Sequence, residues 1–168
     1  MEERFRPMAT LYAQVERLRT ARDNLVRMRS MVELSPMPPD DLPRQREWVA
    51  RELLAHVDEF LPYWLGEIER LLSGQAEPVP FGRPTTDLIR ILTVDRDRTL
   101  PVPELYLRLD NSLERVVRRL LELDERQAAR RGLSKERGEM TVRQIVDVML
   151  AAHMEDHSRQ MAAALDRR

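Results

Sequence analysis

TVRQIVDVMLAAHMEDHSRQMAAAL, residues 141–165, is the stretch that decides the fold. It opens with Thr141-x-x-Gln144, the pattern of a capping box, in which each side chain satisfies a backbone N–H at a helix start. Val142, Ile145, Val146, Met149 and Leu150 then recur with helical period. On a wheel that advances about 100° per residue they share one sector, the core face of an amphipathic helix. His153 and His157, one turn apart, fall in the same sector, with Asp156 beside them. The helix therefore aims two imidazoles inward.

Three more long helical segments precede it. The first spans about Pro7–Leu34, with Leu11, Leu18, Leu25 and Val32 seven residues apart and Gln14, Ala21 and Met28 on the second stripe. Ser35-Pro36 and Pro38-Pro39 end it. The second begins near Asp41-Leu42-Pro43 and continues to about Leu72, closed by Ser73-Gly74. Pro62 lies inside it and is expected to kink it, because the ring removes one hydrogen bond. The third starts near Pro101–Glu104 and runs to about Arg130 through Leu105, Leu109, Leu113, Val116 and Leu120, before a polar turn, Gly132 to Glu139. Strand signals are essentially missing.

These periods predict an all-α fold, a four-helix bundle forming a single domain over 1–168, with a long connection between helices 2 and 3. The first and third links are short, so helices 1–2 and 3–4 are expected as antiparallel hairpins. The proline-rich connection, residues 75 to 100, has room for a short helix around Asp87–Leu92. It is long enough to cross the bundle end and let helices 2 and 4 meet.

Composition narrows the chemistry. There is no cysteine, which excludes disulfides, thiolate ligands and a protein thiol nucleophile. Basic and acidic residues number 28 and 29, so no global field draws the chain to nucleic acid. The many arginines interleave with Glu and Asp along helix faces instead of forming a basic stripe. The N-terminal MEERFRPMATLYAQ lacks the apolar core of a secretory signal, and no apolar run reaches membrane-spanning length. The expectation is a cytoplasmic protein with neither nucleic-acid nor membrane partner.

The three histidines of the chain are His56, His153 and His157. An i,i+4 pair grips an ion from one side, and a third imidazole from another helix would complete a three-nitrogen set with vertices left open. His56, in the second helix, falls towards one edge of its apolar stripe, still within reach of a neighbour. Burying the pair costs free energy unless the ring nitrogens are satisfied, and a metal ion would satisfy them. Zinc-protease chemistry does not fit, since the segment reads His153-Met154-Glu155-Asp156-His157 and Glu155 falls on the opposite side of the wheel. Asp156, Glu52 and Tyr63 are the candidates to orient imidazole N–H groups or shuttle protons.

Two segments resemble the DinB-like family of small metal-binding bundles, which includes YfiT-type proteins. One is Glu47-Trp48-Val49-Ala50-Arg51-Glu52-Leu53-Leu54-Ala55-His56-Val57-Asp58, followed by Trp64. It is similar to the family's second-helix pattern of a histidine after a Glu-Leu-Leu stretch. The other runs from Gly138-Glu139-Met140-Thr141-Val142 through Ile145-Val146 to His153-x-x-x-His157-x-x-Gln160, similar to the fourth-helix signature. The resemblance implies a divalent metal, zinc or nickel, on His56, His153 and His157 with an open position, and it implies a homodimer. It further implies a metal-dependent transferase or hydrolase using a low-molecular-weight thiol cosubstrate, as relatives use mycothiol or bacillithiol.

Such an ion, held by three neutral imidazoles, keeps its full 2+ charge and would lower the pKa of bound water or thiol. The reading from another class is a non-catalytic dimeric helical bundle with a structural ion or none. Bis-histidine haem ligation is a third reading, and a Soret band would reveal it. The nine methionines do not discriminate, because Met also fills cores.

Overall fold

The computed structural model describes residues 9–43 and 47–167. The expected helix start at Pro7, and most of the N-terminal stretch read for a signal, lie outside the described residues. The chain is mostly helical, with one small sheet.

Helix α1 (Tyr12–Arg27) and the single turn α2 (Arg29–Glu33) realise the first segment as two pieces. The seven-residue stripe is core: Leu11, Leu18, Leu25 and Val32 are all fully buried. Tyr106 ties this stripe to a later helix by donating its hydroxyl to the Leu25 carbonyl at 2.8 Å. Helix α3 (Ala50–Ser73) starts later than the sequence suggested, since 41–43 and 47–49 are not helical. Val49 is extended, and the Glu52 carboxylate accepts its N–H at 3.0 Å, which sets the start. Valine has no side-chain acceptor, so only this half of a capping box exists. The helix runs through Pro62 unbroken.

The long connection is more ordered than its prolines indicated. It holds strand β1 (Val79–Phe81) and helix α4 (Leu88–Asp97). Asp87 caps α4 by accepting from Ile89 N at 2.8 Å and Arg90 N at 3.4 Å, a favourable charge at a helix N-terminus. Helix α5 (Val102–Glu122) ends eight residues before the expected Arg130, because Leu123 is extended and Asp124 starts a new turn. That turn is α6 (Glu125–Ala128), with Asp124 and Gln127 in a reciprocal capping box.

The missing strands are a correction. Strand β2 (Arg131–Ser134) pairs parallel with β1 and antiparallel with β3 (Gly138–Thr141), giving the order β1-β2-β3. The "polar turn" is thus a hairpin. Gly138, at φ +76°, makes its bend. Gly132 allows the close packing behind it, since a Cβ there would meet Leu71 and Phe81 at 2.6 Å.

The final run comprises α7 (Val142–Ile145), a π-helical segment over Val146–Ala152, and α8 (His153–Asp166). The Thr141–Gln144 capping box forms as read. The π segment was not foreseen. Its wider turn delays the face, so Leu150, Ala151 and Met154 are buried and His153 sits at the rim of the core. Arg17 of α1 clasps both sides of it, donating to Asp147 at 2.6 Å and to Glu155 at 2.7 Å.

Helix α3 packs against α5 and α8, and α1 packs against α8 and α5, around a continuous apolar core. The second and fourth long helices meet, as the site requires. The expected hairpin partners, α1 with α3 and α5 with α8, are not the principal contacts. The links cross the end of the core instead of joining neighbours. Among the described residues no helix is long and apolar enough to cross a membrane.

Candidate metal centre

The three histidines meet. His56 comes from α3 and is 2% exposed, not at an edge, because α4 covers the flank that a two-sided helix would leave open. His153 and His157 come from the first turns of α8, directly after the π segment. The Nε2 of His153 lies 3.3 Å from Nε2 of His56 and 2.9 Å from Nε2 of His157. One ligand atom from each residue falls within 4.8 Å of the others. Metal–nitrogen bonds of about 2.1 Å put neighbouring donors about 3.0 Å apart at a right angle and about 3.4 Å apart at a tetrahedral angle. The two separations fall close to that range.

The outer nitrogens decide the tautomers. Gln160 presents Oε1 to Nδ1 of His157 at 2.9 Å. Glu59 Oε2 lies 3.4 Å from Nδ1 of His56, a close electrostatic approach, although neither atom makes a hydrogen bond. The Gln160 oxygen calls for a proton on Nδ1 of His157, and the negative charge of Glu59 favours one on Nδ1 of His56, which leaves both Nε2 atoms with bare lone pairs. His153 has one Nε2–H to offer and can satisfy only one of them. A cation at the convergence point satisfies all three, and the outer acceptors fix the rings as they do around metal-bound imidazoles.

Burial keeps the rings neutral. Desolvation is the main cause for all three: it pushes His56 well below its ordinary range, His153 down to about 3 and His157 down. Neutral imidazole is the ligating form, so no proton need be displaced at neutral pH. Aromatic rings wall the site. Trp48 stands edge-on to His56 at 4.7 Å, anchored by its indole N–H on the Pro43 carbonyl at 3.0 Å, and Phe60 meets His153 at 4.8 Å. A cleft of about 400 Å³ opens beside the cluster, bordered by Trp48 and Gln160, each of which touches a site histidine.

The three residues expected around the metal take other positions. Glu52 is fully buried and receives Arg98 at 2.7 Å. Asp156 is exposed and paired with Arg159, although its charge raises the pKa of both His153 and His157. Tyr63 lies under the Arg83 guanidinium, 3.7 Å from its ring centroid, and burial pushes its hydroxyl up to about 12. Arg83 also grips Glu59 at 2.5 Å, so Tyr63 reaches the site through two intermediaries.

Sequence reasoning passed over Glu59 and Gln160 as site residues. The signal existed: each stands three residues after a site histidine on the same helical face. Arg90, whose charge acts on all three imidazoles, had no such signal, because it reaches the site only when the connection folds against α3. Compared with known proteins, the chain matches no family model, no curated protein and no solved structure.

Proposed function

We propose that this protein binds a divalent metal ion through His56, His153 and His157 and uses it as a Lewis acid in a metal-dependent transferase or hydrolase reaction of the DinB-like type. The observation that carries the reading is the meeting of three neutral Nε2 atoms, with Gln160 hydrogen-bonded to the outer nitrogen of His157 and Glu59 facing that of His56. Around it, four long helices of a DinB-like bundle would supply the frame, with zinc or nickel as the ion, since imidazole suits both.

When bound, the ion would lower the pKa of a water or thiol on an open vertex towards neutrality. The chain's own residues hold the ligand rings, exclude water with Phe60 and Trp48, and leave a substrate-sized cleft at the Trp48–Gln160 edge. Because the chain has no cysteine, thiol chemistry requires the sulfur to arrive on a small cosubstrate.

Elemental analysis of untagged protein tests the reading. We expect about one zinc or nickel per chain, and loss of metal in His153→Ala with helical circular dichroism retained. Metal-free wild type that refuses added zinc overturns it. Unfolding on metal removal favours the structural-ion alternative.

A further inference from the structure

Arg90 is a half-buried cation that feels Glu59 and Asp87 without pairing with a carboxylate. Among the described residues none lies within ion-pair distance of it. Its Nε is buried without a hydrogen-bond partner, and one Nη donates to the Thr85 carbonyl. Its guanidinium stands 5.6 Å from the centroid of Trp48, the ring that packs on His56 and borders the cleft. The nearest carboxylates are committed elsewhere. Glu59 is held by Arg83 at 2.5 Å, and Asp87 caps α4 and faces Arg83 at 3.8 Å.

Around the three imidazoles Arg83 and Arg90 balance Glu59 and Asp87 in sum, but both carboxylates sit in contact with Arg83, and Arg90 feels them only at longer range. The rings are neutral, so the two charges of the ion have no counter-charge, and Arg90 keeps donors free beside them. A half-buried guanidinium with a buried, unpartnered N–H is costly, and a second cation nearby makes it costlier. An anion on the open side of the ion relieves both.

Resting on the metal reading above, we infer that the site takes a small carboxylate-bearing molecule, its carboxylate held by Arg90 beside the ion. The chemistry favours a carboxylate: Arg90 offers one planar guanidinium and one unit of charge, matched to a planar monoanion. A phosphate dianion would call for more donors than this single residue provides. The apolar wall of Trp48 suits the body of such a molecule.

The test uses the full chain loaded with Co²⁺, whose visible spectrum reports ligands entering the open vertex. Acetate is the anionic probe, imidazole the neutral one, and inorganic phosphate the competing anion. Arg90→Gln is expected to weaken acetate about tenfold relative to imidazole, with one cobalt per chain retained. Taking the ratio of the two probes removes any general change in the site. An unchanged ratio overturns the inference and leaves the metal reading standing. Phosphate binding tighter than acetate in wild type also overturns it.

Should Arg90→Gln not fold, Arg90→Lys decides. Lysine keeps the charge and loses the planar fork, so the ratio should fall about threefold, and no fall overturns the proposal. Wild type that takes up no cobalt sinks the metal reading, and this inference with it.

Discussion

Helix α3 carries two buried titratable groups two residues apart, and they are buried in opposite ways. His56 faces α8, where its ring joins two others and its Nδ1 faces Glu59. Asp58 faces α4 and α5, where both carboxylate oxygens are buried without a hydrogen-bond partner. Desolvation drives both shifts. It lowers the histidine and raises Asp58 to about 8, helped by Asp97 and Asp110 and opposed by Arg108. The difference teaches that burial alone does not make a site. At His56 the polar atoms converge on one point, while at Asp58 the carboxyl is simply kept protonated.

The largest effect should come from a third buried titratable group on the same helix. Glu52 is as buried as Asp58 but paired, with Arg98 at 2.7 Å and 6% exposed. Glu52→Ala strands that arginine and removes the Val49 cap, although Asp95, at 2.6 Å from Arg98, relieves part of the loss. Urea unfolding should show a loss of about 3 kcal/mol. A loss below about 1 kcal/mol would mean that pairing does not separate Glu52 from Asp58.

On the His56 side, Glu59→Gln keeps the shape and removes the charge behind Nδ1. Zinc affinity, measured by competition with a chromogenic chelator, should fall about 10- to 100-fold, with one ion per chain still bound at saturation. Affinity within about twofold of wild type would show that the 3.4 Å approach has no bearing on the ion.

The two faces also predict opposite pH dependences in the metal-free protein. The imidazoles bind fewer protons folded than unfolded, so they add stability as pH rises to the ordinary histidine value of 6.5. Asp58 binds more when folded, so it removes stability as pH rises from 3.8 to about 8. Three histidines outweigh the raised carboxyls below 6.5, and above it Asp58 dominates, with the raised Glu59 acting in the same direction. Thermal stability should peak near neutrality and decline by about 2 kcal/mol towards pH 8. Asp58→Asn should remove most of that decline and match wild type only below about pH 3.8. A decline that persists undiminished in the variant assigns it to another group.

What the sequence could and could not disclose follows the same local logic. The heptad leucines, the Thr141 cap and the inward aim of His153 and His157 are written in spacings of three to seven residues, which a helix turns directly into faces. The sheet is not. Its strands are three or four residues long, include Pro80 and Gly132, and exist because residues 79–81 pair with 132–134 across the chain. The π segment has no marker residue; the clasp of Arg17 on Asp147 and Glu155 lies over a hundred positions away. The metal cluster was legible because two of its members lie on one helix, whereas Arg90 needed the long connection to fold first.

The smallest expected effect tests the boundary of the cluster. Asp156 lies between the two histidines of α8 in sequence, and on the wheel it looked like a group that orients them. The folded helix turns its carboxylate outward to Arg159, leaving only a charge felt through solvent. Charges so exposed are screened within about 8 Å at physiological salt. Asp156→Asn should therefore change zinc affinity by less than about threefold, and less still at high salt, since surface pairs contribute about 0–1 kcal/mol. A loss as large as that from Glu59→Gln would place Asp156 inside the working site and would erase the distinction between groups that touch the imidazoles and groups that merely neighbour them in sequence.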